Sequence, residues 1–214
     1  MAIPPSTKLL GILAMNVMKR NGFYVIEGDN GTGKTTTLTR LSSSLDIFPI
    51  ATPTKRYKAL REIIHEIGNN NISFLFYMLG NYDAELVIRK KLKNQSVVCD
   101  RYVVSTFVDF MIREELGFEE VSFMYNFFSS RMLMPDITFL LKCEHDKRVK
   151  RVIDRPTLVS ARDDLSKKYS DETNYFYNEF IKKGLGRWHI IDTTYKQEQD
   201  VSHEVMEVIR SDLY

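Results

Sequence analysis

The chain has 214 residues, of which 43% are hydrophobic and 27% charged, an ordinary composition for a globular protein with a full core. Its 30 basic and 28 acidic residues leave a formal net charge of +2, so composition predicts neither a nucleic-acid nor a membrane partner. Two cysteines without CxxC spacing, Cys99 and Cys143, argue against a disulfide framework and indicate reduced thiols in a cytoplasmic protein.

The first 20 residues precede the first predicted strand. The apolar run within KLLGILAMNVMKR is too short to span a membrane and lacks a small-residue cleavage site. We therefore expect residues 1–20 to be an N-terminal extension and residues 21–214 to form a single domain.

Five short apolar runs alternate with helix-length segments. The runs do not alternate strictly between apolar and polar residues, which is typical of parallel strands buried on both faces. The predicted strands are 23–27, 47–52, 96–100, 137–141 and 188–192. The predicted helices are 34–45, 56–67, 73–93, 104–116, 119–132, 144–154, 164–182 and 198–211. This order predicts an α/β fold with a doubly wound, five-stranded parallel sheet flanked by helices.

The sequence GDNGTGKT directly follows the first predicted strand and opens the first helix. It satisfies the phosphate-loop pattern GxxxxGK[ST], in which backbone N–H groups and a helix N-terminus surround a phosphate. Lys34 is expected to bridge the β- and γ-phosphates, and Thr35 to place its hydroxyl on Mg²⁺. The residues expected to bind the nucleotide are Gly28, Asn30, Gly31, Thr32, Gly33, Lys34, Thr35 and Thr36. Because the chain has no NKxD-type guanine motif, an ATP-dependent kinase is favoured over a GTPase.

The segment SVVCDRYVVST places Asp100 and Arg101 at the end of the third predicted strand, where α/β sheets bind ligands. The aspartate can orient magnesium waters, and the arginine can clamp an acceptor phosphate in bidentate fashion. The alternative is a surface ion pair after a strand. Beside a phosphate loop, the pair indicates a kinase whose acceptor is a small phosphorylated molecule.

At this point the chain resembles the thymidylate kinase family over nearly all of residues 22–210. The segments that carry the resemblance are FYVIEGDNGTGKTTTL, FLFYMLGNYDAELVIRKKL, CDRYVVST, MPDITFLL and HIIDTT. The resemblance implies a P-loop kinase fold with a small lid over about 152–166. It also implies phosphoryl transfer from ATP–Mg²⁺ to a nucleoside monophosphate, with Thr35 and Asp100 at the metal. A homodimer through the helices that flank the DRY strand is implied as well.

Basic residues around the predicted lid are the remaining catalytic candidates beside Lys34 and Arg101. Arg148, Arg151 and Arg155 recur at three- and four-residue spacing and so share a helix face. Arg151 and Arg155 match the lid motif of the family best. The alternative is a solvated basic helix face.

The acceptor pocket departs from the family pattern in several places. Asn30 replaces an acidic residue that meets the sugar 3′-hydroxyl, and Gly80 falls where the family has a base-reading arginine. Asp109 and Phe110 replace an aromatic residue and a glutamine near the base, whereas Phe76 matches the aromatic that stacks on it. The residues expected at the acceptor are Asn30, Phe76, Gly80, Arg101, Ser105 and Asp109.

These departures leave the acceptor open at this stage. The loop after the second strand is shortened to ATPTKRY, so that Lys55 or Arg56 could replace the arginine that the family has there. We expect dTMP as acceptor, with another or a modified pyrimidine monophosphate as the alternative. An ATP-binding regulatory protein that has lost its acceptor is the alternative of a different class.

Overall fold

The computed structural model describes residues 21–154 and 165–213. Its strands are β1 (Phe23–Glu27), β2 (Ile47–Ala51), β3 (Ser96–Asp100), β4 (Ile137–Lys142) and β5 (Trp188–Asp192). Its helices are α1 (Lys34–Ser44), α2 (Lys58–Ile67), α3 (Asn70–Lys91), α4 (Val103–Arg113), α5 (Phe118–Ser129), α6 (His145–Ile153), α7 (Lys167–Lys182) and α8 (Glu198–Asp212). A 3₁₀ turn, Lys55–Tyr57, precedes α2. The predicted extension and most of the predicted lid, including Arg155, lie outside the described residues.

The five strands form one parallel sheet in the order β2-β3-β1-β4-β5, which confirms the predicted fold class. Strand β1 is central: Val25 lies opposite Cys99 of β3 on one side and Thr138 of β4 on the other. The phosphate-loop strand and the strand that ends in Asp100 are therefore neighbours. Because both run in the same direction, their carboxyl ends meet at one edge of the sheet.

Two hydrophobic clusters cover the two faces of the sheet. Phe23 and Val25 of β1 face a cluster formed with α3, α4, α5 and α7. Tyr24 and Ile26 face the opposite cluster, formed with α1 and α8. Consecutive residues of a strand point to opposite faces, so β1 is buried throughout and reads as a continuous apolar run.

The helix boundaries differ from the predictions by a few residues for local reasons. Helix α3 begins at Asn70, because the side chain of Asn69 accepts a hydrogen bond from the backbone N–H of Ile72 at 3.0 Å and so caps the helix. No helix within 21–154 and 165–213 is long and apolar enough to cross a membrane. Both cysteines are free thiols, as expected.

Candidate active site

The phosphate loop connects β1 to α1 and is shaped by three glycines with positive φ. A side chain at Gly28 would come within 2.3 Å of the carbonyl oxygen of Leu141, and one at Gly31 within 2.5 Å of that of Arg148. Gly33, with φ 99°, has no heavy atom near the corresponding position. Gly28 and Gly31 therefore let the loop pack tightly, whereas Gly33 borders open space at the N-terminus of α1.

Helix α1 starts without a side-chain cap and without an acidic residue in its first turn. Its first N–H groups are thus available to an anion, which the positive end of the helix dipole also favours. The adjoining cavity measures about 330 Å³. It is lined by Asn30, Gly31, Gly33, Lys34, Thr35, Thr36, Asp100 and Arg101. Size, backbone donors and charge together suit the phosphates of a nucleotide.

Lys34 is buried, and its ammonium donates a hydrogen bond to the carbonyl oxygen of Asp29 at 2.8 Å. Burial, and then the positive charge of Arg101, lower the pKa of Lys34 to about 7. An anionic phosphate beside the ammonium would oppose both effects and favour the charged form.

Thr35 and Asp100 meet at the mouth of this cavity. The Thr35 hydroxyl donates to Asp100 Oδ2 at 3.0 Å. No group of three or more His, Cys, Asp or Glu side chains that could hold a metal occurs in the described part of the chain. A hydroxyl and one carboxylate are nevertheless a donor set that suits Mg²⁺, which binds few protein oxygens and completes its shell with phosphates and water.

Arg101 lies where the two predicted phosphate sites join. Its Nη2 donates to Asn30 Oδ1 at 2.7 Å, so the guanidinium is held against the phosphate loop. A second cavity of about 380 Å³ opens on the other side of this contact. Asn30, Asp100 and Arg101 line both cavities. Two ligands bound side by side would therefore approach each other at these three residues.

One wall of the second cavity comes from α4 and α7. Asp109 Oδ1 accepts hydrogen bonds from Arg113 Nε and from the Tyr169 hydroxyl, each at 2.8 Å. Ser105, expected at the acceptor, also lines this wall. Phe110 does not, because it packs in the core with its ring 4.5 Å from that of Phe74.

The other wall comes from the end of β2 and from α2 and α3. It contains Pro53, Arg61, His65 and Tyr77, and the His65 ring lies 3.0 Å from the Tyr77 hydroxyl. Phe76 is only 5% exposed and is absent from the residues that line the cavity. Its ring contacts Tyr57 and Tyr77 edge to face, so its stacking on a base remains a prediction.

Gly80 also lies behind this wall. A Cβ atom there would be 2.8 Å from Cβ of Pro53, closer than real Cβ atoms come. Arg56 forms an ion pair with Asp83 of α3, and its Nε donates to Asp83 Oδ2 at 2.9 Å. Lys55 is not among the lining residues. Among the described residues of this wall, Arg61 is the arginine that lines the cavity.

The two described arginines of α6 contact different parts of the molecule. Arg148 is fully buried, 3.2 Å from Asp29 Oδ2, and so ties α6 to the phosphate loop. Arg151 Nη2 donates to the carbonyl oxygen of Thr193 at 2.8 Å, and the Thr193 hydroxyl donates to the carbonyl oxygen of Thr32 at 3.1 Å. Contact of Arg151 with phosphates remains a prediction, and Arg155 lies outside the described residues.

The prediction from sequence missed Arg61, Tyr169 and Tyr177, which line the second cavity, and Glu27, which lines neither cavity. Glu27 is fully buried at the end of β1, where burial raises its pKa to about 7 against the attraction of Arg101. The spacing of Arg61 and His65, four residues apart on one helix, was the one signal that pointed to a shared face.

Comparison with known proteins agrees with this geometry. A sequence profile described as thymidylate kinase matches residues 26–205. The probable thymidylate kinase of Methanocaldococcus jannaschii is 30% identical over 202 residues, which cover 91% of this chain and 98% of that protein. The thymidylate kinase of Staphylococcus haemolyticus is 27% identical, over 88% of this chain and 97% of that protein.

Solved structures give the same result for the fold. The thymidylate kinase of Candida albicans superposes with a TM-score of 0.71 at 17% identity, over 90% of this chain and 92% of that one. That of Ehrlichia chaffeensis gives a TM-score of 0.64 at 20% identity, over 89% and 98% of the two chains. With the sequence profile spanning most of the chain and the fold in agreement, this protein belongs to the thymidylate kinase family.

Proposed function

We propose that the protein transfers the γ-phosphate of ATP to a pyrimidine deoxynucleoside monophosphate, with dTMP as the acceptor that yields dTDP. The observation that carries the proposal is the pair of cavities that share Asn30, Asp100 and Arg101. ATP occupies the phosphate-loop cavity, and the acceptor occupies the larger one. The two reacting phosphates then meet at the shared residues.

Phosphoryl transfer needs alignment and charge neutralisation more than covalent chemistry from the protein. Lys34 neutralises charge on the β- and γ-phosphates, and Arg101 holds the acceptor phosphate in line with them. Thr35 and Asp100 would hold Mg²⁺, which supplies further positive charge to the transferring phosphate when bound. No separate base is required, because the attacking oxygen belongs to a phosphate that is already ionised near neutral pH.

Selection of the base falls to the wall that contains Arg61. Within 21–154 and 165–213, no hydrogen bond or ion pair of Arg61 to another residue is present. Arg61 lines the acceptor cavity, whereas the space beside Gly80 is taken by Pro53. We infer that Arg61 donates to a carbonyl oxygen of the base, which favours thymine and uracil over cytosine.

A homodimer is part of the proposal. Helix α3 carries exposed apolar residues at alternating three- and four-residue spacing, the pattern of one continuous helix face. They are Ile72, Leu75, Leu79, Tyr82 and Leu86, with Leu75 62% and Leu86 70% exposed. A stripe this apolar on a surface helix is typical of a protein interface, so a second copy of the chain is the partner we propose for it.

A cytoplasmic location without nucleic-acid or membrane partners completes the proposal. It is supported by the two free thiols and by the nearly balanced charge.

The test is formation of ADP from ATP–Mg²⁺ with dTMP, dUMP, dCMP and UMP supplied one at a time. We expect turnover that depends on the acceptor and is highest with dTMP. The Lys34→Ala variant should lose more than about a hundredfold in turnover, because its ammonium neutralises charge that moves during the reaction. If no monophosphate stimulates ADP formation by the parent protein, the proposed activity is wrong.

A further inference from the structure

The backbone of Arg101 has an unusual conformation. Its φ is 66°, in the left-handed region that residues other than glycine rarely adopt. Such a conformation persists where surrounding contacts hold it. The N–H of Arg101 donates to the carbonyl oxygen of Ile26 at 3.0 Å, and its own carbonyl oxygen accepts from the Thr52 hydroxyl at 3.1 Å and from the Cys99 thiol at 3.0 Å. The peptide group on each side of Arg101 is therefore fixed.

Glu27 holds the next part of the chain. Its Oε1 accepts hydrogen bonds from the backbone N–H of Tyr102 at 3.0 Å and of Ser105 at 3.3 Å. These groups belong to the start of α4, which has no cap from its own side chains. The Tyr177 hydroxyl donates to Glu27 Oε2 at 2.9 Å. A carboxylate of β1, oriented from α7, thus caps the helix that follows Arg101.

A buried carboxyl group is unfavourable unless its hydrogen bonds are satisfied. An apolar side chain at the end of β1 would fill the same core position but would leave two N–H groups of α4 without partners. This loss of hydrogen bonds would fall on the segment that carries Arg101.

We propose that Glu27 is a positioning residue of the acceptor site: by capping α4 it fixes the backbone from which Arg101 reaches the acceptor phosphate. The proposal rests on the proposed function, since it takes Arg101 as the acceptor clamp. Glu27 itself lines neither of the two cavities. Its contribution lies in the length of the side chain, which spans from β1 to the N-terminus of α4.

Two variants distinguish the effect of side-chain length at Glu27 from the effect of its charge. Glu27→Gln keeps the length and can still accept from both N–H groups, whereas Glu27→Asp keeps the charge but is one methylene shorter. We expect Glu27→Gln to hold KM for dTMP within about threefold of the parent value, and Glu27→Asp to raise it by at least about tenfold. KM for ATP should stay within about twofold in both, because the phosphate loop keeps its own contacts.

Affinity for dTMP without ATP, measured by calorimetry, gives a readout that does not depend on turnover. If Glu27→Asp does not fold, Tyr177→Phe serves instead, because this substitution removes the hydroxyl that orients the Glu27 carboxylate. Tyr177→Phe should weaken dTMP binding by about threefold or more. Normal dTMP binding by whichever of these two variants folds would overturn the proposal. So would an equal rise of both KM values, which indicates a general structural role. A parent protein that binds dTMP without phosphorylating it would refute the proposed function while leaving this inference intact.

Discussion

Replacing Glu27 by glutamine should change how the stability of the protein depends on pH. Burial raises the pKa of Glu27 from 4.5 to about 7, and the charge of Arg101, the hydrogen bonds from the Tyr177 hydroxyl and the Tyr102 N–H, and the charge of Lys34 oppose this rise. A rise of this size corresponds to about 3 kcal/mol of folding free energy.

The direction of the pH dependence is set by which state of the chain, folded or unfolded, binds the Glu27 proton more tightly. Because the pKa of Glu27 is higher in the folded than in the unfolded chain, its contribution to stability is fully present below pH 4.5 and is lost as pH rises to about 7. Glutamine resembles the protonated form and does not titrate. The free energy of unfolding of Glu27→Gln, minus that of the parent, should therefore increase by about 3 kcal/mol between about pH 4.5 and about pH 7.5.

Urea unfolding of both proteins across this pH range measures the difference directly. The surface variant Glu62→Gln controls for the general effect of removing one negative charge. A difference that is flat with pH, or that falls as pH rises, would show that Glu27 is ionised without penalty in the folded protein. The account of its burial given above would then be wrong.

Three further substitutions test the acceptor wall and the apolar stripe. Arg61→Met should reduce the ratio of kcat/KM for dTMP to kcat/KM for dCMP by about tenfold, with Lys58→Met on the same helix as control. An unchanged ratio would exclude Arg61 as the base reader. Gly80→Ala should lower the free energy of unfolding by about 1 kcal/mol, because the added Cβ would meet Pro53. This loss should outweigh the higher helix propensity of alanine, and a stabilised variant would show that the contact with Pro53 relaxes freely. Leu79→Glu should convert a dimer to a monomer in sedimentation, and a parent protein that is already monomeric would contradict the proposed interface.

The sheet could be predicted from sequence because its signals are local. Each strand is a short apolar run, and the predicted strand boundaries agree with the structure to within one residue. The phosphate loop is likewise a contiguous motif, and Asp100 and Arg101 immediately follow a recognisable strand. Parallel strands bring such segments together at one sheet edge, so the joining of the two phosphate sites follows from topology.

Residues that act through distant contacts gave no such signal. Tyr177 reaches Glu27 across 150 positions of sequence, and Tyr169 reaches Asp109 across 60. In sequence, Glu27 is only the last residue of a strand, and both tyrosines are aromatic residues of an amphipathic helix. Their pairing depends on how α7 packs over the sheet, which periodicity does not specify.

Gly80 shows why a role transferred position by position can mislead. The resemblance marks this position as one that has lost an arginine, which suggests a pocket short of a donor and a substitution that could restore it. In the structure the space beside Gly80 is occupied by Pro53, so an arginine there would displace the wall of the acceptor cavity before it could reach a base. Arg61, one helix away, lines the same wall. A pocket is defined by the volume that its walls enclose, and the donor that enters that volume can come from either of two neighbouring helices. With Arg61 as the proposed base reader, we expect selectivity to depend on how α2 and α3 pack against the loop after β2, and a change at Gly80 alone should not increase it.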